Sequence, residues 1–233
     1  RMELFLDSAD VPVIEAALEM WHIDGITTNP RTIAETSRPF YEVIRDIGNL
    51  VMGTNKTVSV PTNPHNHNDY HKIVDQAHRL VDMNPNFVVK MPCTENGLKA
   101  CQVLSEEGVR THMNLCFTQM QALQAMRMGA TFVSPFISWE GSTSQAARQF
   151  INDIMTIKFN YEFETEVLVA AVKTINHVAD ASIAGANIVT AAPEVYREAL
   201  GNPLTSRGLE SAQSAWDTID FTPLPDDTKQ EDA

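Results

Sequence analysis

Residues 86–117 read NFVVKMPCTENGLKACQVLSEEGVRTHMNLCF and contain one complete strand–helix–strand unit. Phe87, Val88 and Val89 form a continuous apolar run, as expected of a parallel strand covered on both faces. Thr94 is placed to cap a helix that Gly108 closes, and residues 109–117 read as the next strand. The same alternation extends in both directions. ELFLDSA (3–9), DGITTNP (24–30) and KTVSVPT (56–62) read as the first three strands, followed by helices at 11–21, about 32–47 and 67–83. TFVSPFIS (131–138), EVLVAAVK (166–173) and ANIVTAA (186–192) read as strands six to eight. The helices of this second half are expected at 118–130, 144–159, 174–184 and 193–200. About eight βα units in a 233-residue chain predict an α/β fold of the (β/α)8 TIM-barrel type. A doubly wound open sheet is the competing architecture, but no Gly-rich first turn is present. An extra C-terminal helix is expected at about 204–217. Residues 1–219 then make a single domain, and the acidic 220–233 tail is expected to be disordered.

The formal net charge of -13 argues against nucleic acid or an anionic membrane as partner. No apolar run is long enough to span a membrane and no leader pattern opens the chain, so a cytoplasmic location is expected. Cys93, Cys101 and Cys116 match no zinc spacing and are expected to be reduced packing residues. His65, His67 and His71 could ligate a metal, but a flexible polar loop is the simpler reading, so no metal site is predicted.

In a barrel, functional groups gather where strands end. Asp7 ends the first strand, Thr27 and Asn29 the second, Lys90 the fourth, Ser138 and Trp139 the sixth, and Lys173 the seventh. His112 and Asn114 lie two apart on the fifth and so share a face. A lysine at the end of an apolar strand is costly unless paired or deprotonated. Low polarity would lower its pKa and free the amine to attack a carbonyl, and the resulting iminium would labilise a neighbouring carbon–carbon bond. An ion pair of Lys90 with Asp7 or a neighbouring acid as structural glue is the alternative, and spacing alone leaves both open.

FLDSAD, DGITTNP, FVVKMPCTENGL, GATFVSPF and AGANIVT fall in an order that resembles the small transaldolase and fructose-6-phosphate aldolase family of class I aldolases, over roughly residues 3–217. The resemblance implies a barrel with a Schiff-base lysine at Lys90 and no cofactor. It implies that Asp7 assists proton transfer and that Thr27 and Asn29 contact a sugar. IDGITTNPRTI, VSPFISW, EVLVAAVK and GLESAQSAWD resemble the branch acting on 6-deoxy-6-sulfofructose in sulfoquinovose breakdown. Phosphate-binding members carry arginine at Trp139 and serine at Ala171. The change suggests a different anionic tail, a sulfonate, with Arg31 and Lys173 left to hold it. Arg31 sits at an expected helix start that favours an anion, or is simply a solvated helix charge. Rings formed through the last helix are the assembly the family implies, making a homo-oligomer.

Two positions depart from the family. Its strand-three glutamate or glutamine is Pro61 here, and its strand-five threonine is Asn114, which can hold a water but is a poor acid or base. His112 could replace the relay, or be a hydrogen-bonded core histidine. The expectation is a transaldolase moving a dihydroxyacetone unit from a ketose with an anionic tail to an aldehyde such as glyceraldehyde 3-phosphate. A fructose-6-phosphate-type lyase and an impaired sugar-phosphate-binding barrel are the alternatives.

Overall fold

The eight strands are built on a two-residue alternation, broken only near the ends of the fifth and the seventh. They are β1 (Glu3–Asp7), β2 (Gly25–Thr27), β3 (Thr57–Pro61), β4 (Phe87–Pro92), β5 (Thr111–Cys116), β6 (Phe132–Pro135), β7 (Glu166–Val172) and β8 (Ile188–Ala191). In this computed structural model, which describes residues 1–138 and 147–222, they pair in parallel and in chain order, and β8 returns to β1. Closure removes every sheet edge, so each strand is covered on both faces. The result is the (β/α)8 barrel.

One parity of each strand faces outward. Leu6, Ile26, Val58, Val60, Val89, Met91, Met113, Val133, Val167 and Val189 belong to the main core cluster together with apolar helix residues. The other parity fills the barrel, where Phe5, Val88, Phe132, Leu168 and Ile188 form a separate buried cluster. Phe5 meets Phe132 edge to face at 5.9 Å. Gly25 makes room for Phe5: a Cβ there would stand 2.5 Å from the ring. Large apolar residues thus plug the barrel below its polar end.

The helices differ from expectation in detail. The expected helix at 32–47 is two, Pro30–Glu35 and Phe40–Val51. Pro39 interrupts the run, because a proline cannot donate within a helix and restricts the residue before it. The helix expected from 67 begins at Tyr70, where Asp69 caps it, after a short 3-10 turn at Pro64–Asn66. The helix after β6 is described from Ala147 to Asn160. Among the described residues, no helix is long and apolar enough to cross a membrane.

The contacts divide the chain into two compact units, residues 1–196 and 197 onward. The first holds the barrel. In the second, Asn202 caps the helix Pro203–Trp216, accepting from the Leu204 N–H at 2.9 Å. None of that helix is buried, and Leu204, Leu209 and Trp216 are all exposed.

Candidate active site

Lys90 points into the barrel from the C-terminal half of β4, with Pro61 of β3 and His112 of β5 beside it in register. It is 7% exposed. Among the described residues its ammonium has no hydrogen-bond or ion-pair partner. Burial lowers its pKa from 10.5 to about 8, and the negative charge of Asp7 opposes only part of that fall. A neutral amine is therefore available close to neutral pH. Lys90 and Asp7 make no salt bridge, so the structural-glue alternative fails.

Asp7 ends β1 half-buried and is held by an ordered hydroxyl chain. Thr27 of β2 donates its hydroxyl to Asp7 Oδ1 at 2.8 Å, and its Oγ1 lies 2.6 Å from Thr190 Oγ1 of β8. A hydroxyl has one proton, so Thr190 must donate to Thr27. Asn29 enters from the same side. It caps Pro30–Glu35, with Oδ1 accepting from the Thr32 N–H at 3.0 Å, and Pro30 occupies the first helical position. The cap fixes the amide orientation, leaving Nδ2 directed at Asp7 Oδ1, 3.5 Å away.

His112 lies fully inside the barrel. Its Nδ1 is 2.8 Å from Ser59 Oγ on β3, and its Nε2 is 2.5 Å from Ser134 Oγ on β6. Burial, reinforced by the charge of Lys90, holds its pKa well below 6.5. Both nitrogens are occupied and the ring is neutral, which fits the hydrogen-bonded core histidine rather than a replacement proton relay. Pro61 is buried opposite Lys90 and can move no proton.

The rim is shaped by two matching irregularities. The β5–β6 register shifts between Met113 and Cys116, and the β7–β8 register shifts between Val169 and Val172. Leu115 and Ala171 sit at these shifts with φ of 56° and 57°. Such bulges re-aim neighbouring side chains and cost about 1–3 kcal/mol each for a residue with a Cβ. Asn114 stands immediately before the first, half-buried.

The expected tail-binding cations are exposed and make local contacts. Arg31 is exposed and its Nε donates to Glu35 at 3.0 Å, one helical turn away. Lys173 is also exposed, and its backbone N–H donates to His177 Nδ1 at 3.0 Å. Ser138 is half-buried beyond β6. Trp139 lies outside the described residues.

His65, His67 and His71 are exposed, and no group of three potential ligands converges among the described residues. Cys93 and Cys116 are buried, and the hydrogen bond between them together with burial pushes the Cys93 thiol pKa up. These are inert packing thiols.

Sequence reasoning did not single out Ser59, Ser134 or Thr190. Inward parity was the available signal: each shares a face with a strand-end or core position already recognised, two residues before Pro61 in the case of Ser59.

The sequence profile of the Transaldolase/Fructose-6-phosphate aldolase family matches residues 4–229. A protein of Priestia megaterium described as 6-deoxy-6-sulfo-D-fructose transaldolase is 41% identical over 225 residues, covering 96% of this chain and 99% of that protein. A probable transaldolase of Brucella ovis is 39% identical over 215 residues, covering 92% and 96%. Among solved structures, a thiamine phosphate pyrophosphorylase from Pyrococcus furiosus superposes with a TM-score of 0.59, covering 82% of this chain and 85% of its own. At 12% identity that likeness shows the fold alone.

Proposed function

The chain belongs to the transaldolase/fructose-6-phosphate aldolase family, and from that premise we propose that it transfers a dihydroxyacetone unit through an imine on Lys90. One observation carries this reading: the buried amine at the end of β4 has no hydrogen-bond or ion-pair partner among the described residues, and burial lowers its pKa to about 8. A structural lysine would have a partner.

The neutral amine attacks the ketose C2 carbonyl, and loss of water gives an iminium. The iminium accepts the electron pair of the C3–C4 bond as the C4 hydroxyl loses its proton. A three-carbon aldehyde carrying the anionic tail leaves. The remaining enamine adds to an acceptor aldehyde, and water releases the product and the amine. Asp7 is the proton-transfer partner, held ready by Thr190 and Thr27. Thr27 and Asn29 orient hydroxyls, and Asn114 holds the water. The donor is 6-deoxy-6-sulfofructose or fructose 6-phosphate. Lys173, with Ser138 and Ala171, forms the tail site, and Arg31 joins it on leaving Glu35. The 41% identity to a protein named for the sulfonated ketose favours that donor. The enzyme is cytoplasmic and assembles as a ring through the helix Pro203–Trp216, whose Leu204, Leu209 and Trp216 are exposed.

Borohydride trapping with 6-deoxy-6-sulfofructose, fructose 6-phosphate and dihydroxyacetone in separate reactions tests the reading. An adduct on the Lys90 peptide is expected, fastest with the sulfonated ketose. Adding glyceraldehyde 3-phosphate should raise donor consumption, whereas equal consumption without acceptor would make the enzyme a lyase. Absence of any adduct, with a related aldolase trapped in parallel, would overturn the imine mechanism.

A further inference from the structure

The buried imidazole of His112 has no part in the proton transfers above, yet three strands contribute to holding it. Its ring leaves β5 and reaches Ser59 on β3, although β4 lies between those two strands. The inward residues of β4 are Val88, in register with Ser59, and Lys90, in register with His112. The ring therefore passes inside β4 at the level where the apolar plug ends and the lysine begins. Phe132 of that plug meets it edge to face at 5.8 Å. On the other side, Ser134 of β6 fixes Nε2.

We propose that His112, pinned by Ser59 and Ser134, is a positioning residue for Lys90: an uncharged, polar floor that fixes where the amine stands. The proposal rests on Lys90 being the reacting group. A neutral imidazole donates through one nitrogen and accepts through the other, and serine hydroxyls serve either role by rotating. The network is thus satisfied in both tautomers without moving a heavy atom. Its neutrality matters because Lys90 is the charged group acting on the ring, and Asp7 is the charged group acting on Lys90. A protonated imidazole would place a second cation beside the ammonium, whereas an aliphatic side chain would give the amine no polar surface. Serine, histidine and serine meet neither demand by accident of packing: an apolar trio would continue the plug of Phe5, Val88 and Phe132 at no desolvation cost.

The test uses His112→Leu, the milder pair Ser59→Ala with Ser134→Ala, and His112→Gln as the conservative variant. Two readouts are needed. Competitive labelling of Lys90 with acetic anhydride across pH reports the amine without any catalysis. Borohydride trapping with dihydroxyacetone reports imine formation. In the unmutated protein the labelling midpoint is expected at about 8. His112→Leu should move it lower, since a less polar surround disfavours the ammonium further. It should also slow trapping about tenfold through misplacement of the amine. The double serine variant should show the same changes in smaller measure, and His112→Gln should recover part of the trapping rate. An unchanged or raised midpoint with unchanged trapping, in variants that melt cooperatively, overturns the proposal. Failure of trapping in the unmutated protein, with labelling still dependent on His112, would instead sink the imine reading while showing that His112 sets the state of the Lys90 amine.

Discussion

Burial lowers the pKa of two lysines among the described residues, one at each end of the barrel, and they are treated differently. Lys158 lies near the end of the helix Ala147–Asn160, just before β7. Its ammonium donates to the carbonyls of Phe163 and Thr165 at 2.7 Å each. Burial lowers its pKa, and the charges of Glu166 and Glu164 oppose that. Lys90, at the other end, has the deeper burial, one distant carboxylate and no donor contact among the described residues. The comparison separates a lysine that closes a turn from one buried without a hydrogen-bonding partner among the described residues. Partial burial with carbonyl partners holds the charge, while full burial without them favours the free amine.

Exchange of each lysine for methionine breaks the comparison most directly. Lys90→Met should abolish trapping and lower turnover by roughly 10⁴-fold or more, while Lys158→Met should leave turnover near its original value. Stability should move the opposite way. Because the folded pKa of Lys90 is lowered, the native state binds its proton less tightly than the unfolded chain. The resulting penalty is fully present below about pH 8 and fades as pH rises toward 10.5. Lys90→Met should therefore stabilise the protein by up to about 3 kcal/mol at pH 7. The gain should shrink between pH 8 and 10.5, as urea denaturation at several pH values would show. A Lys90→Met protein less stable than the original at pH 7 would contradict the account of the buried amine.

Asp7→Asn sharpens the Lys90 half of the comparison. Turnover should fall about 10²-fold if Asp7 is the proton-transfer group as proposed. The midpoint of Lys90 labelling should drop below about 8, since the Asp7 charge is what raises it. Lys158→Met sharpens the other half: losing the donor to two carbonyls should cost about 1–2 kcal/mol at pH 7 in the same denaturation series. The smallest effects are expected at the rim. Lys173→Gln should raise KM for the sulfonated ketose about tenfold with dihydroxyacetone trapping unchanged. Arg31→Gln should change it by less than about fivefold, as suits an exposed, paired charge. Equal effects from the two would assign them equal shares of the tail site.

The sequence carried the architecture because a parallel barrel repeats one local pattern. Each strand is a short apolar-rich run, most helices have an apolar stripe, and Thr94 and Thr118 cap helices from a single position. Lys90 was legible for the same reason, being a charge inside an otherwise apolar run. The break at Pro39 and the late start at Tyr70 were missed, because periodicity runs across a proline or a capped turn without marking where hydrogen bonding fails.

Pairing across the barrel was not legible. Ser59, His112 and Ser134 come from three strands more than 20 residues apart in sequence, and no local pattern ties a serine in KTVSVPT to a histidine in VRTHMNLCF. Read locally, His112 was open to proton transfer as well as to packing. Only the closed sheet, by bringing a hydroxyl to each nitrogen, decided between them. Arg31 differs: the sequence offered it as an anion ligand, and its partner Glu35 lies one helical turn away, a contact set by local spacing. The chain by itself determined which residues alternate, where helices are capped and which charge lies in an apolar strand, since those depend on neighbours in sequence. Tertiary structure decided which polar groups meet and which remain without partners, because hydrogen bonding and desolvation depend on neighbours in space.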